Sequence, residues 1–341
     1  MLKLRRGVIV EEAPLTIDVD GERRPAWADE GLLGEMLEGD EVVVNVEALD
    51  LGLGSGGVDI VHVNLTRGLA GEGGRGAHVF KLNYSPIQHP VDPVERTEDE
   101  VASGSAASVP VLVIPLHGQL APAAWAAGQA APGLRVGYVQ TAGGALPGRI
   151  SRDVAQLRSL GILCGHITAA PAYGGEQESL SVAGALDAAA HRLHWQAVIA
   201  GPGPGIIGSA THYGHGGMES LDNAHAALAL GMPTLLSPRL SDADPRARHR
   251  GVSHHTSTVL DLLLGGVEVP APAGEEVAEA ALEALAGGRH RVRSHLADVD
   301  RYASSGLPTR TMGRGIDEDR VFFAAALASG HGLAEAARPE R

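Results

Sequence analysis

Val111-Leu112-Val113-Ile114-Pro115-Leu116-His117-Gly118-Gln119 is a run of four apolar residues followed by a polar turn. A short, charge-free run of this kind reads as a strand buried on both faces, as in a parallel sheet covered by helices. The reading recurs downstream. Leu134-Arg135-Val136-Gly137-Tyr138-Val139, Ile162 to Thr168, Ala197-Val198-Ile199-Ala200 and Thr234-Leu235-Leu236 are four more strands of the same texture. Helical patterns fill 119–130, 149–160, 176–194 and 217–230 between them, with Pro122 suited to a first helical turn. Such alternation predicts right-handed crossovers and a Rossmann-like parallel α/β domain over 109–335. Its C-terminal extension reads as a helix near 274–286, a strand near 289–296 and a last helix near 317–330 opened by Asp317.

Upstream, the texture is that of a small β-barrel-like domain over 1–84, SH3-like or OB-like. Gly7-Val8-Ile9-Val10, Leu15 to Val19, Glu41 to Val46, Val58 to Leu65 and Ala77 to Tyr84 are its strands, with Asp20-Gly21 as a hairpin turn. Leu51 to Gly57 is a glycine-rich loop, and without a following Lys-Ser/Thr it is not a phosphate loop. Residues 85–108 hold Pro86, Pro90, Pro93 and an acidic stretch without apolar periodicity, and read as a linker.

Composition narrows the function. A formal charge of −14 over 341 residues disfavours nucleic acid and anionic lipid as partners, although it leaves room for a local basic pocket. Aromatic residues make up 3% and glycines number 46, so the core must be aliphatic and closely packed. The single cysteine, Cys164, excludes an internal disulfide and Cys-rich metal sites. No apolar run approaches a membrane span, and no h-region follows the basic start, so we expect a cytoplasmic protein.

In an open parallel sheet, ligands bind outside the carboxyl ends of the strands. The loops expected there concentrate Gly, His, Ser, Thr and Arg. His117 follows the first strand, Gly143-Gly144 the second, and Gly203-Pro204-Gly205-Ile206-Ile207-Gly208 the fourth. The last of these matches G-x-G-x-x-G, but in the wrong unit for a dinucleotide and without the later acidic residue, so we expect no NAD site. Its glycines suit an anion nest or a plain tight turn. After the fifth strand, Arg246, Arg248 and Arg250 alternate in an otherwise acidic chain, suiting phosphate or carboxylate or else pairing with Asp242 and Asp244. His212 and His215 have ligand-like spacing, and His249, Ser253, His254 and His255 follow in the next loop. Histidines so placed serve either a metal or metal-free acid–base chemistry. Thr309 to Gly315 reads as a strap over the crevice or a subunit contact.

Four runs carry a resemblance: Lys81 to Gln88, Thr141 to Pro147, Ala243 to His255 and Thr311-Met312-Gly313-Arg314-Gly315. Over nearly its whole length the chain resembles a family of uncharacterised bacterial proteins, mostly actinobacterial. The resemblance implies no activity, cofactor or catalytic residue.

The leading expectation is therefore an enzyme of hydrolase or transferase type acting on a small anionic substrate. His249, His254 and His255 would supply acid–base chemistry. Gly143, Gly144, Gly203, Gly205, Gly208, Arg246, Arg248, Arg250, Ser253 and His117 would form the binding surface. One alternative is a metal-dependent hydrolase ligated through His212, His215 and the His254-His255 pair. Another is a non-enzymatic ligand-binding or assembly protein. Homo-oligomerisation is the expected state of association, since most assemblies of soluble proteins are symmetric.

Overall fold

Five strands with alternating burial close the first barrel: β1 (Leu4–Glu12), β2 (Leu15–Val19), β3 (Glu22–Trp27), β4 (Glu41–Asn45) and β5 (Asp59–Asn64). Two one-turn helices, α1 (Glu30–Leu33) and α2 (Glu47–Asp50), lie between them in sequence. The order around the barrel is β1-β2-β3-β5-β4, closed by a parallel β3–β5 pair. Asp20 and Gly21 both take positive φ at the β2–β3 turn, the geometry that a two-residue hairpin loop favours. Period-two alternation turns Ile9, Ile17, Val42, Val44 and Val61 into the barrel core.

The computed structural model describes every residue except 54–55, 72, 74–76, 96–107, 210 and 339–341. It divides into two compact units, Met1–Asp92 and Pro93–Arg341. Half of the expected linker and part of the Leu51–Gly57 loop lie outside the described residues. The first part of that linker is structured, contrary to the sequence reading: β6 (Val79–Lys81) and β7 (His89–Val91) pair as an antiparallel ribbon.

The second unit is built on β8 (Val111–Val113), β9 (Val136–Thr141), β10 (His166–Ala169), β11 (Gln177–Ser179), β12 (Ala197–Pro202) and β13 (Thr234–Leu236). A two-strand ribbon of β14 (Leu240–Ser241) and β15 (Gly251–Val252) follows, then β16 (Glu268–Pro272) and β17 (Arg291–His295). The eight-stranded sheet runs β11-β10-β9-β12-β8-β13-β16-β17, and all its pairs are parallel. The chain is thus an α/β protein with a closed N-terminal barrel and a Rossmann-like sheet.

Helices cover both faces. On one side pack α3 (Leu120–Ala130), α4 (Arg152–Ser159), α9 (Val299–Ala303) and α10 (Arg320–Ala336). On the other pack α5 (Val182–His191), α6 (Glu219–Ala229), α7 (His254–Leu262) and α8 (Glu276–Ala286). Strand β8 shows why: Val111 and Val113 enter one core, Leu112 and Ile114 the other. Glycine replaces aromatic bulk at the closest approach. A Cβ on Gly330 of α10 would stand 2.0 Å from the Ala123 carbonyl oxygen of α3.

Three elements differ from the sequence reading. Residues 176–194 begin with β11, and α5 starts only after the Ser181 cap, whose side chain accepts from the Gly184 N–H. Strand β16 was hidden by Pro270 and Pro272, which lack the N–H that a central strand needs. Helix α7 lies in what reads as a polar loop, because Ser253 caps it and its first turn is His254-His255-Thr256.

Candidate functional site

Strands β12 and β13 flank β8, so the loops leaving their carboxyl ends face each other across it. Together they enclose a cleft of about 260 Å³. Its walls include Ile206, Ile207, Gly208, Thr211 and His215 from the first loop. Arg239, Arg246, Arg248, His249, His254 and His255 come from the second, and Met312 closes one side. Among the described residues, three arginines and no carboxylate line it.

Arg239 is the pivot. It is 2% exposed, one of the largest fully enclosed side chains in the protein. Its Nη2 donates to Asp244 Oδ2 at 3.1 Å, and its Nη1 lies 3.2 Å from His255 Nδ1. The Nε has no hydrogen-bond partner among the described residues. Burial lowers the guanidinium pKa to about 10, against the Asp244 charge, so it stays cationic at neutral pH. Asp244 collects three cations, accepting also from Arg246 Nε (2.9 Å) and Arg314 Nη2 (3.4 Å). Hydrogen bonding from Arg246 holds its carboxyl far below the usual carboxylate range.

The imidazoles form one packed group. The rings of His215 and His255 stack at 3.8 Å, 8° from parallel. His254 stands edge-on to both, 5.1 and 4.5 Å away, and His249 lies 4.8 Å from His254. Burial, reinforced by Arg239, lowers His249 to about 3 and His255 to about 2. Burial and His215 lower His254 to about 4. All are therefore neutral at pH 7. His249 Nδ1 bonds Ser253 Oγ at 2.7 Å, whereas the His254 side chain has no hydrogen-bond partner among the described residues.

The arrangement sorts the expected site residues. Gly208, Arg246, Arg248, His215, His249, His254 and His255 do line the cleft. Arg246 is held on Asp244, and the Arg250 Nε bonds the Asp244 carbonyl, so Arg250 lies outside the lining. Arg248 alone of that trio has no ion-pair or hydrogen-bond partner among the described residues. Ser253 supports from behind as helix cap and His249 partner. His212 is separate from the histidine group: its ring packs on Tyr213, and its carbonyl meets His215 Nε2.

His117 is buried below, bonding Ser151 Oγ at 2.7 Å and the Pro202 carbonyl at 3.1 Å. Gly143, Gly144 and Gly203 sit where the strand-end loops cross. A Cβ on Gly144 would stand 2.1 Å from the Gly203 oxygen, and one on Gly203 would stand 2.2 Å from the Ala145 oxygen. Close backbone packing accounts for both. Gly205 takes φ +72 in the same loop and is not part of the cleft wall.

Sequence reasoning passed over Arg239, although a charged residue three positions after the end of a buried strand is a usable signal. The strap was read correctly as far as place. Residues Arg310–Thr311 and Arg314–Gly315 pair as a small hairpin, β18 and β19, with Met312 at the cleft and Arg314 bonded to Asp244 and Asp319.

Nδ1 or Nε2 atoms of His215, His254 and His255 fall within 4.8 Å of one another. Two features oppose a shared ion. Stacked rings aim their in-plane lone pairs side by side rather than at one point. Arg239 also donates to His255 Nδ1, which leaves the neutral ring its proton on Nε2 and puts a fixed cation beside the group.

The chain matches no curated protein and no solved structure. The family described as "Protein of unknown function (DUF3866)" matches residues 26–330, nearly the full length, and the chain belongs to that family.

Proposed function

We propose that the cleft binds a small anionic molecule, bearing phosphate or carboxylate, and acts on it as a hydrolase or transferase. The observation that carries this reading is the lining: among the described residues, three arginines, no acid, and a group of neutral imidazoles, in a chain of net charge −14. Arg248 and Arg239 supply charge for the anion. His254, lacking a hydrogen-bond partner, takes the proton of an attacking water or hydroxyl. A pKa near 4 makes it a weak base in the ligand-free protein. A bound anion beside it favours the protonated form and brings it closer to neutrality. The volume of about 260 Å³ lies below that of roughly 300–1,000 Å³ usual for drug-sized ligands, so the substrate is compact.

A second reading, a metal ion held by His215, His254 and His255, has their mutual proximity in its favour. Stacking and Arg239 count against it. We place the protein in the cytoplasm as a homo-oligomer. No helix among the described residues is long and apolar enough to cross a membrane.

The test is a thermal-shift screen of the full chain against phosphorylated and polycarboxylate metabolites, with hits followed by NMR for product. Stabilisation that is lost in Arg248→Ala, with turnover lost in His254→Ala, supports the proposal. Stabilisation without any turnover after prolonged incubation leaves a binding protein. Stabilisation by zinc but by no anion favours the metal reading.

A further inference from the structure

A second histidine group lies at the far edge of the sheet and shares no residue with the cleft. His295 ends β17, and His331 and Glu335 stand one turn apart on the same face of α10. Gly332 lets the two elements meet: a Cβ there would stand 3.0 Å from His295 Nε2.

The polarity of the contacts is unusual. His295 is 1% exposed at its side chain, and its Nε2 lies 3.0 Å from Glu268 Oε1. That bond places the ring proton on Nε2 and leaves Nδ1 as a lone pair. Nδ1 points at Glu335 Oε2, 3.4 Å away, and has no hydrogen-bond partner among the described residues. His331 Nδ1 lies 3.5 Å from Glu335 Oε1 and is likewise buried without a hydrogen bond. The His295 Nδ1 lone pair thus faces the Glu335 carboxylate, with His331 Nδ1 beside them. A cation or an added proton would remove the cost of setting that buried lone pair against a carboxylate.

We infer that His295, His331 and Glu335 form a binding site for a divalent transition-metal ion of the zinc class. One ligand atom from each of the three residues lies within 4.8 Å of the others, with His295 Nδ1 3.4 Å from Glu335 Oε2 and His331 Nδ1 3.5 Å from Glu335 Oε1, close enough for small side-chain adjustments to bring them onto one ion. Two imidazoles and one carboxylate are a common set for such ions. The Glu268–His295 bond is the carboxylate–histidine support that fixes the tautomer of a ligating ring. A depression of about 90 Å³, lined by His331 with Trp125, Leu296 and Asp298, adjoins the group. Arg293 stands 3.6 Å from Glu268 and 3.9 Å from Glu335 at the rim. It opposes a cation there, yet it is 43% exposed and so well screened. The rival occupant is a proton, which would make His295 an imidazolium between two carboxylates.

The experiment is a calorimetric titration of chelator-treated full-length protein with Zn²⁺, repeated with Co²⁺ by visible absorption. One equivalent of Zn²⁺ is expected, with tetrahedral Co²⁺ bands. Affinity falls at least about tenfold in His331→Ala and Glu335→Gln and is kept in His254→Ala. Because the helix variants are checked by circular dichroism, lost folding is separable from lost ligation. Nitrogen NMR of the wild-type chain adds a readout independent of any variant: the His295 Nδ1 signal moves on Zn²⁺ addition. No Zn²⁺ uptake, or uptake abolished by His254→Ala but not by His331→Ala, overturns the proposal. So does a His295 ring that stays doubly protonated at neutral pH whatever the Zn²⁺ concentration.

Discussion

Arg239 Nη1 lies 3.2 Å from His255 Nδ1, a permanent cation donating to a buried neutral imidazole. The contact fixes the His255 tautomer, holds its pKa down and keeps the wall of the cleft positive. Truncating Arg239 to Met removes all three effects. Asp244 keeps Arg246 and Arg314 as partners, so the variant should lose about 3 kcal/mol, the lower end for a broken buried pair. Urea denaturation measures the loss, and histidine NMR should show the His255 pKa rising.

Stability should fall as the medium becomes acidic. His249, His254 and His255 have folded pKa values of about 3, 4 and 2, each depressed below the unfolded value near 6.5. Between those limits the unfolded chain binds more protons. Stability is therefore fully present above about pH 6.5 and declines as pH drops toward 4, by at most about 1.4 kcal/mol per pH unit for each histidine. Urea midpoints measured from pH 7 to 4 check the slope. His254→Ala should flatten it.

Arg248→Ala should separate binding from folding. The side chain is exposed and without a partner, so stability changes by no more than about 0.5 kcal/mol. Anion affinity should fall about tenfold, the loss of one charge-assisted contact of about 1.5 kcal/mol. Calorimetry with inorganic pyrophosphate reads both the affinity and the stoichiometry.

Gly144→Ala tests the packing role of the strand-end glycines. Its new methyl group meets the Gly203 oxygen at 2.1 Å, where no flexible side chain can give way. The variant should be destabilised by about 3 kcal/mol or more, as overpacking costs. A melting temperature equal to wild type would return Gly144 to the list of ligand contacts.

The legible parts of the fold were those that periodicity alone decides. Val111 to Ile114 and Ala197 to Ala200 are apolar throughout because both faces of the sheet are covered. Strand β16 was illegible because its two prolines contradict the local rule, and the β17 partner overrides it. At the site, the Arg and His types and their loops could be read, since loops at strand ends gather polar residues. Their pairing could not. Asp244, a single acid two residues before Arg246, decides which arginine remains for a ligand. Gly143-Gly144 and Gly203 make close loop-to-loop approaches, which no spacing rule distinguishes from an anion nest.

The central claim is that the imidazoles of the cleft are neutral and gain protons when an anion binds between them and Arg248. The most direct measurement follows the Cε1 resonances of labelled histidines in the full chain across pH, without and with saturating inorganic pyrophosphate. The account predicts that His254 titrates near 4 in the free protein and at least about one unit higher with the anion, a shift lost in Arg248→Ala. Resonances of His249, His254 and His255 that ignore millimolar pyrophosphate, or a His254 that titrates near 6.5 in the free protein, would contradict it.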